Sequence, residues 1–192
     1  MVNLIDAYKK YALNRSWRFH TIFTSIFLVL FVSIIAGGFV PTTMKIEESG
    51  FSTTDLQNAS TREETEIILT AFEPLMKFVK LLSVLDYLFI LLGFILFLSL
   101  NAMIYKALMK YDKLTWIPLS GVLLTIISRT LDSLENLWSI LIYTNPDDFS
   151  VVLLPLSSVT GLVKWIFVGF EYSMVLVGLI CFLILRNKDS AT

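Results

Sequence analysis

Four long apolar runs constrain the fold of this chain more than any other feature of its sequence. They cover about residues 21–40, 82–105, 116–143 and 159–185, and the first contains no charged side chain. The hydrocarbon core of a bilayer is about 30 Å thick, and a helix needs about 20 apolar residues to cross it. Each run is therefore predicted to be a transmembrane helix. The expected fold is all-α: a polytopic membrane protein with one domain, residues 1–192, built as a bundle of four transmembrane helices.

The composition excludes several other classes of protein. Charged residues make up 16% of the chain and its mean hydropathy is +0.75, whereas about 25% of an average soluble domain is charged. The net charge of −1 provides no basic surface for a nucleic-acid partner. A single cysteine, Cys181, can form neither an internal disulfide nor a CxxC pair, and a single histidine, His20, cannot ligate haem from both sides. No cofactor is expected, and the expected partner is the lipid bilayer.

Lysine and arginine are distributed unequally between the two ends of the predicted bundle. Nine flank one side and four flank the other, where they all lie in the first long loop. The nine are Lys9, Lys10, Arg15, Arg18, Lys106, Lys110, Lys113, Arg186 and Lys188; the four are Lys45, Arg62, Lys77 and Lys80. Since basic loops stay in the cytoplasm, the chain is predicted to be a multi-pass membrane protein with both termini cytoplasmic. The first run exceeds the 7 to 15 residues of a signal peptide's apolar region, so we interpret it as a span that ends at Gly37, Gly38 and Pro41.

The loop of about residues 41–81 is too long to be a plain connection. It contains Thr61-Arg62-Glu63-Glu64, the pattern of a capping box, in which the threonine hydroxyl and the glutamate carboxylate each accept a hydrogen bond from a backbone amide of the first turn. A short extracytoplasmic helix is therefore expected to start here and to end near Pro74, where the second span begins.

Six ionisable side chains lie inside the predicted spans, where a charge facing lipid costs about 2.5 to 3.5 kcal/mol. At 100° per residue, the polar positions of the third span share an arc of about 120°. They are Thr125, Ser128, Arg129, Asp132, Glu135, Asn136, Ser139 and Tyr143. This stripe is expected to face Asp86 on the second span and the seam of Lys164 and Glu171 on the fourth. Seven side chains form the candidate site: Asp86, Arg129, Asp132, Glu135, Asn136, Lys164 and Glu171.

Depth in the membrane predicts how these charges pair. At 1.5 Å per residue from the cytoplasmic helix ends, Arg129 and Glu171 lie about 21 and 22 Å deep, and the other charges lie between about 25 and 33 Å. We therefore expect an ion pair between Arg129 and Glu171. The expected partner of Lys164 is Asp132, Glu135 or Asp86. Four acids against two bases leave a surplus of two negative charges, which a protonated carboxyl, a bound cation or entering water would relieve.

Other interpretations stay open for several of these residues. Buried ion pairs can serve only to fix helix register, and Asp86, Glu135 and Lys164 could instead reach water at the outer membrane surface. Asn101 is expected to donate a hydrogen bond to another helix. His20 is expected in the belt of aromatic and basic side chains at the inner surface. No cluster of His or Cys accompanies the carboxylates, so no zinc site is expected.

Three short patterns resemble those of small four-helix integral membrane proteins of prokaryotes. They are Leu85-Asp86-Tyr87-Leu88-Phe89 in the second span, Leu131-Asp132-Ser133-Leu134-Glu135-Asn136 in the third, followed by Pro146, and Lys164-Trp165 in the fourth. The resemblance covers about half the chain. It implies the four-helix topology and a link between Asp86, Asp132, Glu135, Asn136 and Lys164, but it implies no activity.

The pattern of charges is compatible with three functions. The first is a polar pocket that binds or moves a cation, a proton or a small polar solute, which the surplus of carboxylates favours. The second is a lipid-binding or lipid-active protein with Asp132 or Glu171 as acid or base, although no residue is marked as a nucleophile. The third is a structural or assembly subunit whose ion pairs hold the bundle, alone or in an oligomer. An enzyme is not favoured, and catalytic residues are not predicted.

Overall fold

The computed structural model describes the backbone of residues 4–189 and the side chains of residues 4–185. This part of the chain is all-α, with no strand. Four helical stretches are long and apolar enough to cross a membrane: Trp17–Glu47, Arg62–Leu108, Asp112–Thr144 and Leu153–Leu185. The prediction of an all-α chain with four such helices is confirmed.

The first stretch does not end where the sequence predicted. Helix α1 (Leu4–Asn14) precedes it, and the stretch itself consists of α2 (Trp17–Ile34), a π-helical turn (Ile35–Phe39) and α3 (Val40–Glu47). The predicted end at residues 37–41 is wrong, because a proline is accommodated when the turn before it changes its hydrogen bonding. Pro41 lacks an N–H, and the π-helical turn lies directly ahead of it.

The expected helix in the long loop is present as α5 (Arg62–Phe72), which is followed by a 3₁₀ turn (Glu73–Leu75). Its capping differs from the predicted box in one half. The hydroxyl of Thr61 accepts a hydrogen bond from the amide of Glu64 (3.2 Å), as expected. The carboxylate of Glu64 accepts instead from the amide of Ser60 (2.9 Å), one residue earlier than the box requires.

A second loop helix, α4 (Thr53–Asn58), was not predicted. Its start is a complete capping box: the hydroxyl of Ser52 accepts from the amide of Asp55 (3.2 Å), and the carboxylate of Asp55 accepts from the amide of Ser52 (2.6 Å). The same Ser-x-x-Asp pattern stands in the sequence and is a helix-start signal. The sequence analysis did not predict this helix, which is only six residues long.

The remaining helices are α6 (Met76–Leu108), α7 (Trp116–Thr144) and α8 (Leu153–Asp189), with a 3₁₀ turn (Asp112–Leu114) ahead of α7. The third predicted span, 116–143, agrees with α7 to within one residue. Helix α8 starts at Leu153 rather than at residue 159, because Pro155 lies in its first turn, where a missing N–H breaks no helical hydrogen bond.

The chain forms two compact units, and α2, α6, α7 and α8 each contribute to both. The first unit takes its described residues from 1–29, 93–128 and 166–192, and the second takes them from 30–92 and 129–165. In the first unit, Phe97, Ile104, Leu108 and Val175 form a buried apolar cluster.

The second unit has a larger core, in which the loop helices pack on the membrane-length helices. Its fully buried members include Ile46 of α3, Leu56 of α4, Phe72 of α5 and Ile142 of α7. The guanidinium of Arg62 donates to the carbonyl of Asp147 and lies 5.2 Å from the ring centroid of Phe149. Helix α5 and the loop between α7 and α8 therefore lie at the same end of this unit.

Candidate functional site

The centre of the candidate site is the ammonium group of Lys164, which lies in the second unit. Its Nζ is 3.2 Å from Oδ1 of Asp132, to which it donates a hydrogen bond, and it forms a short ion pair with Oε2 of Glu135. The side chains of Lys164, Asp132 and Glu135 are 12%, 10% and 3% exposed, respectively. Two of the three carboxylates that the sequence predicted as partners of Lys164 are therefore its partners in the structure.

The local sequence explains why both carboxylates reach the same lysine. Asp132 and Glu135 are three residues apart on α7, so they project from the same face of the helix. Gly161 stands one turn before Lys164 on α8, and a Cβ built there would be only 2.8 Å from Oε1 of Glu135. The absence of a side chain at residue 161 thus lets the carboxylate of Glu135 lie against α8 and reach Lys164.

A second cation borders the same carboxylate. Nη1 of Arg129 is 3.8 Å from Oδ2 of Asp132, and both side chains are at least nine-tenths buried. Asp132 therefore lies between Lys164 and Arg129 and balances part of both charges.

Of the three candidate-site carboxylates in the second unit, Asp86 is the one that is not held in this way. It interacts electrostatically with Asp132, Glu135 and Lys164, but among residues 4–185 it has neither an ion pair nor a hydrogen-bond donor. Among the candidate-site residues of this unit, the acids are Asp86, Asp132 and Glu135, and the bases are Arg129 and Lys164. Three carboxylates against two cations leave one surplus negative charge if all of them are ionised.

Asp86 lines a small polar cavity of about 30 Å³ between α4, α6 and α7. Asn136 also lines it; this side chain is 5% exposed, and its Nδ2 has no hydrogen-bond partner among the described residues. The hydroxyls of Ser83 and Tyr143, which are 2.6 Å apart, form a further part of the wall. A water molecule needs about 10 to 15 Å³ and two or more polar partners, so the cavity has room for one or two water molecules.

Glu171 lies in the first unit, where it is fully buried. Its Oε1 accepts a hydrogen bond from the hydroxyl of Thr125 (2.9 Å), and its Oε2 accepts one from the hydroxyl of Ser128 (2.8 Å). Both donors belong to the predicted polar stripe of α7, but the sequence analysis did not assign them to Glu171. Their spacing of three residues is the signal that could have done so. The predicted pair of Arg129 and Glu171 joins residues of different units and stays a prediction.

Two other polar residues make hydrogen bonds that the sequence analysis did not assign. His20 is fully buried, and its Nε2 donates to the carbonyl of Ala12 (2.9 Å); its place in a belt at the inner surface stays a prediction. Asn101 donates to the carbonyl of Phe97 on its own helix (2.9 Å) rather than to another helix. The sequence could not reveal the bond from His20 to Ala12, because it depends on how closely α1 approaches α2.

The described residues contain no group of three or more His, Cys, Asp or Glu side chains that could hold a metal ion. The four apolar helices and the buried ion pairs are compatible with a membrane protein. No protein-family model, no curated protein and no solved structure matches this chain, so the resemblance to small four-helix membrane proteins of prokaryotes stays a prediction.

Proposed function

We propose that this chain is a multi-pass membrane protein that moves protons or a small monovalent cation through the polar cavity beside Asp86. The observation that supports this most directly is the difference between the three candidate-site carboxylates of the second unit. Asp132 and Glu135 are held by cations, whereas Asp86 has no such partner among the described residues and faces the cavity. Asp86 is therefore the group that can gain and lose a proton, or a cation, without breaking an ion pair.

The surplus charge favours an exchangeable positive species over an anion. The candidate-site residues of the second unit include three carboxylates and two cations, and intramembrane charges must be compensated. A proton on Asp86, or a cation beside it, restores neutrality. The nearby Lys164 and Arg129 stay engaged with Asp132 and Glu135, so they do not need to move.

The volume of the cavity limits which species can pass through it. About 30 Å³ accepts one or two water molecules, and an amino acid or a sugar does not fit. The hydroxyls of Ser83 and Tyr143 and the amide of Asn136 are suited to order such water molecules. Of the species that the sequence left open, the cavity therefore favours the proton and the small cation over the polar solute.

The proposed orientation places both termini in the cytoplasm and the cavity towards the outer surface. Thr53 and Gln57 of α4 line the cavity, and α4 lies in the loop between the first two spans. That loop belongs to the end with fewer lysines and arginines, which is the external end by the distribution of basic residues.

The experiment is a flux measurement in proteoliposomes with an enclosed pH-sensitive dye, driven by an imposed potassium diffusion potential, and repeated with a sodium-sensitive dye. We expect the wild-type protein to raise the flux of protons or of sodium above that of empty liposomes. Asp86→Asn should lower the flux at least tenfold, and Asp86→Glu should retain part of it. Asp112→Asn, the same change at an exposed position between α6 and α7, is the matched control.

The helicity and the elution volume of each variant are measured first, and the flux is compared only between proteins that are folded. A folded wild-type protein that moves none of these ions would overturn the proposal. An Asp86→Asn variant with wild-type flux would also overturn it.

The alternative is a structural subunit, and the ion pairs of Lys164 with Asp132 and Glu135 favour it. They connect α8 to α7 within the second unit, and such pairs fix register at a cost in desolvation. This function predicts no ion flux, so the same measurement separates the two proposals.

A further inference from the structure

A second polar pocket, of about 270 Å³, lies in the first unit at the ends of three helices. Trp17 starts α2, Lys106 lies in the last turn of α6, and Leu185 lies about one turn before the end of α8. The wall is completed by Lys110, Tyr111 and Phe182. It thus combines two ammonium groups and two aromatic rings with an apolar side formed by α8.

Lys106 is positioned rather than loosely solvated. Its Nζ donates to the carbonyl of Leu13 (3.2 Å) and to that of Arg15, and it lies 6.0 Å from the ring centroid of Trp17. An ammonium group has three N–H donors, and the two carbonyls take two of them. The C-terminal end of α1 therefore holds a half-buried positive charge at the edge of the pocket.

From this geometry we propose that the pocket binds the headgroup of an anionic phospholipid. The two lysines supply positive charge for a phosphodiester, and Phe182 and Leu185 offer an apolar path along α8 for an acyl chain. A free inorganic anion has no apolar part to contact that side of the pocket, and a cation would be repelled by Lys106 and Lys110. The ligand that fits both halves of the wall is therefore an amphiphile with a negative head.

The depth of the pocket supports the same ligand. Trp17 is the first residue of the first candidate membrane stretch, and Leu108, next to Ala107 in the pocket wall, ends the second. Tryptophan, tyrosine and lysine at the ends of membrane helices lie at the level of the lipid headgroups. The pocket would thus open where phospholipid headgroups are.

This inference does not depend on ion transport or on the orientation of the chain. The pocket shares no residue with the Asp86 cavity, and its volume is 270 Å³ against 30 Å³. Either leaflet can supply an anionic lipid in a symmetric vesicle, so the test works for both orientations.

The experiment uses the full chain in nanodiscs of phosphatidylcholine with increasing phosphatidylglycerol, and native mass spectrometry counts the lipids retained after release. We expect one phosphatidylglycerol to be retained per chain and no phosphatidylcholine at the same stoichiometry. Lys110→Gln should weaken retention about fivefold, the effect of one lysine near an anionic surface, and Lys110→Glu should abolish it. The matched control is Lys113→Gln, since Lys113 is an exposed lysine of the same connection that lies outside the pocket wall.

Three results would overturn the proposal. The first is equal retention of phosphatidylcholine. The second is an equal effect of Lys110→Gln and Lys113→Gln, which would indicate a diffuse basic surface. The third is displacement of the lipid by 10 mM inorganic phosphate, which would show that the pocket binds phosphate and does not require a lipid.

Discussion

At the scale of single residues, Gly161 decides whether the carboxylate of Glu135 can lie against α8. We predict that Gly161→Ala destabilises the protein by about 1 to 3 kcal/mol, the usual cost of overpacking a closely packed contact. The new Cβ would be 2.8 Å from Oε1 of Glu135 and 3.3 Å from its carboxyl carbon, while Oε2 is held by Lys164. Thermal unfolding in one detergent at fixed pH measures the difference.

Gly169→Ala is the matched control on the same helix. A Cβ built at Gly169 meets no atom within 4 Å, and alanine is the better helix former by about 1 kcal/mol in water. We therefore expect Gly169→Ala to be neutral or slightly stabilising. Equal stability of the two variants would mean that Glu135 does not approach residue 161 as described.

The membership of the charged cluster was predictable from sequence, because charges inside apolar runs must face one another. The helical spacing predicted that Asp132 and Glu135 share one face of α7. Their estimated depth in the membrane predicted that they lie near Lys164. Side-chain geometry was not predictable at this level. The exposure of Asp86 to a cavity depends on how α4 packs, and α4 was not anticipated.

At the scale of elements, the capping box of α4 makes the covering of the Asp86 cavity sensitive to acid. Hydrogen bonds from the amide and the hydroxyl of Ser52 hold the pKa of Asp55 below its usual value of 3.8. Because this pKa is lower in the folded state, the stabilisation is complete above the usual value and is lost as the pH falls through the lowered one. We predict that the hydrogen-exchange protection of α4 amides falls as the pH drops below about 4.

Asp55→Asn is the decisive variant for this prediction. The amide side chain does not titrate, so the protection of α4 should be lower at neutral pH and should no longer change with acid. The amides of α7 serve as the internal reference, because they lie in a long helix without this cap. Protection of α4 that is equal in wild type and variant at every pH would contradict the prediction.

Element boundaries were predictable where hydropathy and capping agreed. Helix α7 is the clear case, because its predicted and observed limits differ by one residue. The first span was predicted too short, since Gly37, Gly38 and Pro41 were interpreted as a stop although a π-helical turn carries the helix past them. The local sequence cannot distinguish a helix end from a change of hydrogen bonding when the next turn is again helical.

At the scale of the whole molecule, hydropathy predicted the number of membrane-length helices, because each is a property of one continuous segment. Hydropathy could not predict the grouping of the chain into two compact units. Four of the helices contribute to both units, and such a division depends on contacts between distant segments.

The orientation of the molecule is the last prediction, and two matched single-cysteine variants test it. In a Cys181→Ser background, Asp112→Cys lies between α6 and α7, and Asp147→Cys lies between α7 and α8; both aspartates are exposed. The excess of lysine and arginine around the first position predicts that it is cytoplasmic. In intact cells, a membrane-impermeant maleimide should therefore label Asp147→Cys at once and Asp112→Cys only after permeabilisation. The reverse pattern would invert the proposed topology, and labelling of both from outside would mean that α7 does not cross the membrane.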